Sequence, residues 1–266
     1  MLLGSRRASR AGARLRNALE VTGHRMATFQ EMELGSIAQW ISAIATLLVV
    51  LVALFKDEIV NWWRRPIFDV SVFLEPPHCH RTTLQYQFQR TALTFVQAQC
   101  YYFRVWIKNC GKTRATRVQV FAAKLYRKVA DGSFKEDQHF LPMNLRWAHG
   151  HSQEPGGGPE IYAEGISPQM GKHCDLGHVT DPNNRVELGE DLDGVPAANT
   201  LFALDLEVIP ATKSHLLAPG TYRLELQVAA ANSRPVTKVL EITVTGQWFA
   251  DERKMFQDGI GLRVVA

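Results

Sequence analysis

The stretch RVWIKNCGKTRATRVQV, residues 104–120, decides how the rest of the chain is read. Its Gly111-Lys112-Thr113 has the ending of a phosphate-binding loop, yet the same residues would also serve as a turn between two β-strands. A phosphate-binding loop needs G-x-x-x-x-G-K-[ST], because the first glycine lets the backbone wrap the phosphate, and that place is held by Trp106. It also needs a following helix to aim N–H groups at the anion, whereas RATRVQV alternates as a strand does. The stretch is therefore strand, turn, strand, with Gly111 giving the turn its backbone freedom. A Walker-type nucleotide enzyme is excluded.

Working outward, the same period of two recurs. Phe68, Val70, Val72 and Leu74 share a face, as do Tyr101, Phe103, Val105 and Ile107, and then Val118 with Val120. Further on the inward sets are Phe202, Leu204, Leu206 and Val208; Tyr222, Leu224, Leu226 and Val228; and Leu240, Ile242 and Val244. Weaker strands are expected around Leu141–Trp147 and Cys174–Val179. With no long amphipathic helix between them, these runs predict a mainly β fold, an antiparallel β-sandwich over residues 66–266.

Ile107, Asn109, Gly111, Ala115, Val118 and Val120 trace V-x-N-x-G-x-x-x-A-x-x-V-x-V, which resembles the hairpin of bacterial immunoglobulin-like domains of the cell-adhesion-related and NEW3-like type. ISPQMGKHCDLGHV, residues 166–179, is similar to that family's I-x-P-G loop, and APGTYRLELQV, residues 218–228, to its A-G-x-Y-x-L-x-V strand. The resemblance implies an immunoglobulin-like sandwich, a hydrogen bond from Tyr222 back to the preceding loop, and a binding or spacing module of a kind usually extracellular. Two departures stand out: Gln169 replaces the usual glycine, and an insertion runs from about residue 139 to 200.

Ahead of the sandwich, IAQWISAIATLLVVLVALF, residues 37–55, holds nineteen residues without a charge. At about 1.5 Å per residue a helix of this length just crosses a hydrocarbon core of about 30 Å. Trp40, Trp62 and Trp63 flank it, as suits indoles at the headgroup level, and Pro66 forbids further helix. A cleavable signal peptide would have a shorter apolar run followed by small residues, whereas Leu54 and Phe55 lead into charge and tryptophan. Residues 36–65 are thus expected to form a transmembrane helix with an interfacial extension, its partner being the lipid bilayer through residues 37–55, and residues 1–35 a basic, disordered tail. Lys56, Arg64 and Arg65 against Arg25 place the C-terminal body on the cytoplasmic side of a cell inner membrane, crossed once. The arginines of the complete tail argue the opposite way, and a translation start at Met26 or Met32, or a mitochondrial presequence, would each account for its composition.

The formal charge of +4 includes six arginines against three glutamates in residues 1–35. The remaining 24 basic and 23 acidic side chains leave the body balanced, which argues against nucleic acid as a partner. Four cysteines, Cys79, Cys100, Cys110 and Cys174, fit neither a disulfide scaffold nor a C-x-x-C motif, so free thiols are expected; a bridge from Cys100 or Cys110 to Cys174 stays open.

Within the insertion, His173, Cys174 and His178 are candidate metal ligands, although their spacing matches no standard zinc pattern. His149 and His151 lie in the same span, and His78, Cys79 and His80 form a second cluster in which at most two side chains share a face. Met143, Trp147, Trp248 and Phe249 form a candidate binding surface, since aromatics and methionine recur at recognition sites; packing at the sandwich ends is their other reading. No nucleophile motif occurs. The expectation is a non-enzymatic module that binds another protein or a ligand and needs no cofactor. A metal-binding enzyme or sensor built on the insertion is its rival.

Overall fold

Ser36–Glu58 forms one α-helix, α1, and none of its apolar window is buried against protein. Its 23 residues span about 34 Å at 1.5 Å each, so it is long and apolar enough to cross a membrane. The Thr46 hydroxyl donates to the Ser42 carbonyl 2.8 Å away and so asks nothing of its surroundings. In this computed structural model the described residues are 36–58, 60, 63–87, 95–149 and 161–265, so the expected basic tail, Trp62 and His151 lie outside them. The chain divides into two units, Met1–Trp63 and Arg64–Ala266.

The second unit is built of strands β1 (Phe68–Ser71), β2 (Cys79–Gln87), β3 (Phe95–Asn109), β4 (Ala115–Lys128), β5 (Phe134–Glu136), β6 (Met143–Asn144) and β7 (Arg146–Trp147). It continues with β8 (Ala163–Ile166), β9 (Gly171–Thr180), β10 (Phe202–Leu204), β11 (Leu216–Leu217), β12 (Gly220–Ala230), β13 (Ser233–Val244) and β14 (Ile260–Val265). One sheet has the order β1-β3-β9-β10-β11, with β2 on β3 and β7 on β9. The other runs β14-β13-β12-β4-β5, with β6 and β8 also on β4. All their pairings are antiparallel.

The residues expected to point inward do so on five of the six strong strands. Tyr101, Phe103, Val105 and Ile107 of β3 meet Val118 and Val120 of β4, Leu224, Leu226 and Val228 of β12, and Leu240 and Ile242 of β13 in one core. Burying each such side chain contributes about 1.5–3 kcal/mol. The exception is the run from Phe202: β10 ends at Leu204, Leu206 stays buried, and Val208 stands 60% exposed. Five strands, β2, β5, β8, β11 and β14, lie outside the runs expected from the sequence. β2 is a polar edge strand, β8 has four residues, and β14 follows a single π-helical turn, Met255–Gly259, that buries Met255 and Phe256. The span 139–200, read from the sequence as an insertion, supplies β6, β7, β8 and β9 to the two sheets.

The quoted stretch is the crossing from one sheet to the other. Asn109, fully buried at the end of β3, accepts at Oδ1 from the backbone N–H of Ile67 and Gly111 and donates through Nδ2 to the carbonyls of Thr113 and Ile166. Both amide hydrogens and both lone pairs of its side chain are thereby used. Gly111 packs directly on the incoming chain: a Cβ there would stand 2.5 Å from the Arg65 carbonyl oxygen. Gln169, where the family resemblance leads one to expect glycine, adopts φ +61° and donates its backbone N–H to the Asn109 carbonyl at 2.7 Å. Its side chain also donates to the Cys110 carbonyl. Tyr222 Oη donates to the Ala218 carbonyl at 3.0 Å, the bond back to the preceding loop expected from the sequence. Asn109→Ala should lower unfolding stability by roughly 2–4 kcal/mol, because it orphans buried N–H and C=O groups. Urea unfolding of the wild type and the variant, followed by tryptophan fluorescence, measures the difference.

Candidate functional site

On the outer face of the first sheet, alternate residues of β3 stand opposite residues of β9: Trp106 by His173, Arg104 by Asp175 and Tyr102 by His178. Strict alternation could not place residues 173, 175 and 178 together. A bulge between the Phe103–Gly177 and Arg104–Asp175 pairs shifts the parity of β9, so all three face outward while Cys174 and Leu176 turn into the core.

At one end of this strip, His173 Nε2 lies 2.9 Å from His78 Nδ1, one imidazole donating to the other. The Trp106 ring stands 4.6 Å from His173, and Phe73, 45% exposed, stands 4.7 Å from His78. Gly171 lets Trp106 lie on the backbone, since a Cβ there would come within 2.3 Å of the indole. Burial, then the neighbouring His78 and Arg104, push the His173 imidazole down to about 4, so it is neutral at physiological pH. At mid-strip Arg104 Nε donates to Asp175 Oδ1 at 2.8 Å and its guanidinium stands 5.9 Å from the Tyr102 ring.

At the other end is a buried polar cluster. The loop after β9 opens with the short helix α2 (Pro182–Arg185) and folds over the sheet because the buried Arg185 guanidinium donates to the carbonyls of Glu190, Ala197 and Pro196. Five N–H donors in a planar fork let one side chain gather that loop. The loop in turn delivers Glu190, whose Oε1 lies 2.9 Å from His178 Nε2 and accepts from Thr180 Oγ1 at 3.1 Å. Asp205, just beyond β10, places Oδ1 3.0 Å from His178 Nδ1. Burial opposes charge on this imidazole, but Asp205 and Glu190 overcome it and hold the proton well above the ordinary histidine range. Beside the cluster opens a pocket of about 60 Å³, lined by Arg146, His178, Glu190, Asp205 and His215 together with apolar side chains including Leu188 and Ile209.

That pocket concentrates unmet hydrogen-bonding capacity. Among the described residues seven buried side-chain polar atoms lack a partner, and four of them belong to residues that line it: Arg146 Nε, Glu190 Oε2, Asp205 Oδ2 and His215 Nδ1. Each such atom costs about 1–3 kcal/mol if nothing meets it. On the second sheet some outward charges are paired: Glu241 takes both Arg223 and Arg263, and Lys124 faces Glu136.

The candidate metal ligands are dispersed by this geometry. His173 belongs to the aromatic end and His178 to the polar cluster, with both ring nitrogens engaged. Cys174 is buried on the core side, where its Sγ donates to the Arg146 carbonyl and burial pushes its thiol far up. Among the described residues no three His, Cys, Asp or Glu side chains stand where they could hold a metal ion. All four cysteines are free; Cys79 and Cys100 are pushed up to about 12 by burial, and Cys110 alone is exposed. Of the aromatic surface candidates, Trp147 is 1% exposed and its indole N–H is shared between the Val118 and Ile161 carbonyls. Met143, Trp248 and Phe249 pack partly buried against the core. Residues that the sequence reading passed over, Glu190, Asp205, His215 and Arg146, line the pocket with His178. No protein-family model, curated protein or solved structure matches the chain.

Stability should depend on pH through both ends of the strip. The folded chain holds the His178 proton, between Asp205 and Glu190 and near Cys100 and His215, more tightly than the unfolded chain does. Its contribution is complete below about pH 6.5 and is lost as pH rises through the folded value. His173 is the reverse case: its contribution is present above about pH 6.5 and is lost as pH falls towards about 4. Chemical denaturation across pH 4–9 should therefore show an alkaline decline that His178→Gln removes and an acid decline that His173→Gln reduces.

Proposed function

We propose that the protein is a single-pass, membrane-anchored binding module, non-enzymatic, whose β-sandwich presents the outer face of its first sheet to a ligand or to another protein. The observation that carries this reading is the clustering of unpartnered buried polar atoms on the residues around one pocket on that face, while on the opposite sheet Glu241 is paired with both Arg223 and Arg263. Binding sites commonly combine apolar walls with a few convergent polar groups, and groups left unpaired in the free protein are those a ligand can reward. An aromatic and histidine cluster on the same face, with Phe73 and Met170 exposed, extends the recognisable surface.

The distribution of strands between the sheets supports an immunoglobulin-like reading of the sandwich, and with it the same function. β1, β3 and β9 share one sheet and β4, β12 and β13 the other, and the chain crosses between sheets from β3 to β4 and again before β12. That is the distribution of strands A, B, E against C, F, G in such domains, which commonly serve recognition. Chemistry also speaks against catalysis: His178 has no free nitrogen for proton transfer, and the three buried thiols stay protonated. The body is assigned to the cytoplasmic side of a bacterial inner membrane on the strength of Lys56, Arg64 and Arg65 beside the apolar helix.

Two measurements test the proposal. In spheroplasts, an impermeant maleimide should label Cys110 only after lysis; labelling of intact spheroplasts would reverse the orientation. A photo-crosslinking residue at Phe73 should give discrete adducts in membranes of the source cell, while one at Arg223 on the opposite sheet should not. Equal adducts from both positions, or none from Phe73, would sink the assignment of this face.

A further inference from the structure

Resting on that binding reading, we propose that the pocket between His178 and His215 takes a small zwitterion, a free α-amino acid, with its ammonium group on Glu190 and Asp205 and its carboxylate on Arg146. The wall carries both signs of charge with unused bonding capacity of both kinds. Glu190 is 6% exposed and His215 7% exposed, so Glu190 Oε2 and His215 Nδ1 have no recourse to bulk water as partner. The unpartnered atoms are two carboxylate oxygens, one ring nitrogen and a single guanidinium Nε, a set that asks for several N–H donors beside one anionic acceptor. An amine alone would leave Arg146 Nε unmet, and a carboxylate alone would leave both acidic oxygens facing it. A zwitterion answers the two needs together, through the charge-assisted bonds that are the stronger class.

Size and lining narrow the ligand further. About 10–15 Å³ of such space admits one water, so about 60 Å³ admits about four to six heavy atoms, the size of glycine or alanine. Leu188 and Ile209, the latter 63% exposed, line the pocket without polar groups, which suits a short aliphatic side chain directed outward. The loop carrying Glu190 is held as one piece by Arg185, and β7 sets Arg146 against Asp175 in register, so the ligand-facing groups come from different elements fixed before any ligand arrives.

The test uses the full chain in lipid nanodiscs, with glycine, L-alanine, L-leucine, ethylammonium and acetate as probes. Binding is read by titration calorimetry and by the unfolding temperature. Alanine should bind at least tenfold more tightly than ethylammonium or acetate. Glu190→Gln and Arg146→Met should each weaken alanine at least tenfold, while Glu225→Gln on the other sheet should leave it unchanged. Circular dichroism confirms that each variant is folded; should Glu190→Gln fail to fold, Asp205→Asn replaces it. Ethylammonium binding as well as alanine, or alanine binding untouched by Arg146→Met, would overturn the zwitterion assignment. No binding of any probe at 10 mM would overturn the site, leaving a pocket filled by water only. Phe73 adducts that persist when no amino acid binds would confine the failure to this pocket; loss of those adducts with alanine binding intact would instead remove the wider recognition face.

Discussion

Asn109 ties the molecule together at its most demanding point, the place where the chain leaves one sheet and enters the other. Its side chain joins the entry to β1 through Ile67, the turn through Gly111 and Thr113, and the end of β8 through Ile166. Its backbone adds a bond to Met170 and another from Gln169, closing the loop that leads into β9. A crossing between two sheets exposes backbone groups that no ladder can satisfy, and buried orphans are expensive. One fully used amide removes that cost for three segments at once. Neither an acid, which cannot donate, nor a leucine, which can do neither, could replace it.

Once β3 and β4 are held apart in different sheets, the two outer faces diverge. The second sheet holds some of its charges in mutual pairs on a solvated face, and such pairs contribute little to stability. The first sheet is covered at one end by the Arg185 loop, which takes a histidine, two carboxylates and a threonine out of water. Their mutual bonds offset most of the desolvation, yet one oxygen of each carboxylate is left over. That deficit is the physical basis on which recognition is proposed for this face.

Much of the fold was legible from alternation alone, because an antiparallel sandwich with one face in the core must alternate. Most strands outside the expected runs are those in which alternation has little to report: β2 is a polar edge strand, and β5, β8 and β11 are fragments of three, four and two residues. β14 does alternate, with Ile260 and Leu262 buried, but it follows a π-helical turn instead of a turn dipeptide. Val208 misled for a related reason, since β10 stops at Leu204 and the pattern runs on past the strand that would have used it.

The sequence by itself determined an apolar segment of membrane-spanning length, a two-sheet β body, the turn at Asn109-Cys110-Gly111 and the backward bond of Tyr222, because each depends on residues near one another in the chain. Tertiary structure alone decided the site. A bulge in β9 changes which residues share a face, turning His178 outward with His173 and away from Cys174, whereas strict alternation would have left Cys174 and His178 on one face. Arg146, His178, Glu190, Asp205 and His215 come from well-separated stretches, and only sheet pairing and the Arg185 loop bring them to one pocket. Trp147, conspicuous in the sequence as a recognition residue, became core for the same reason: burial is set by what packs on a side chain, and that is known only when the chain has folded.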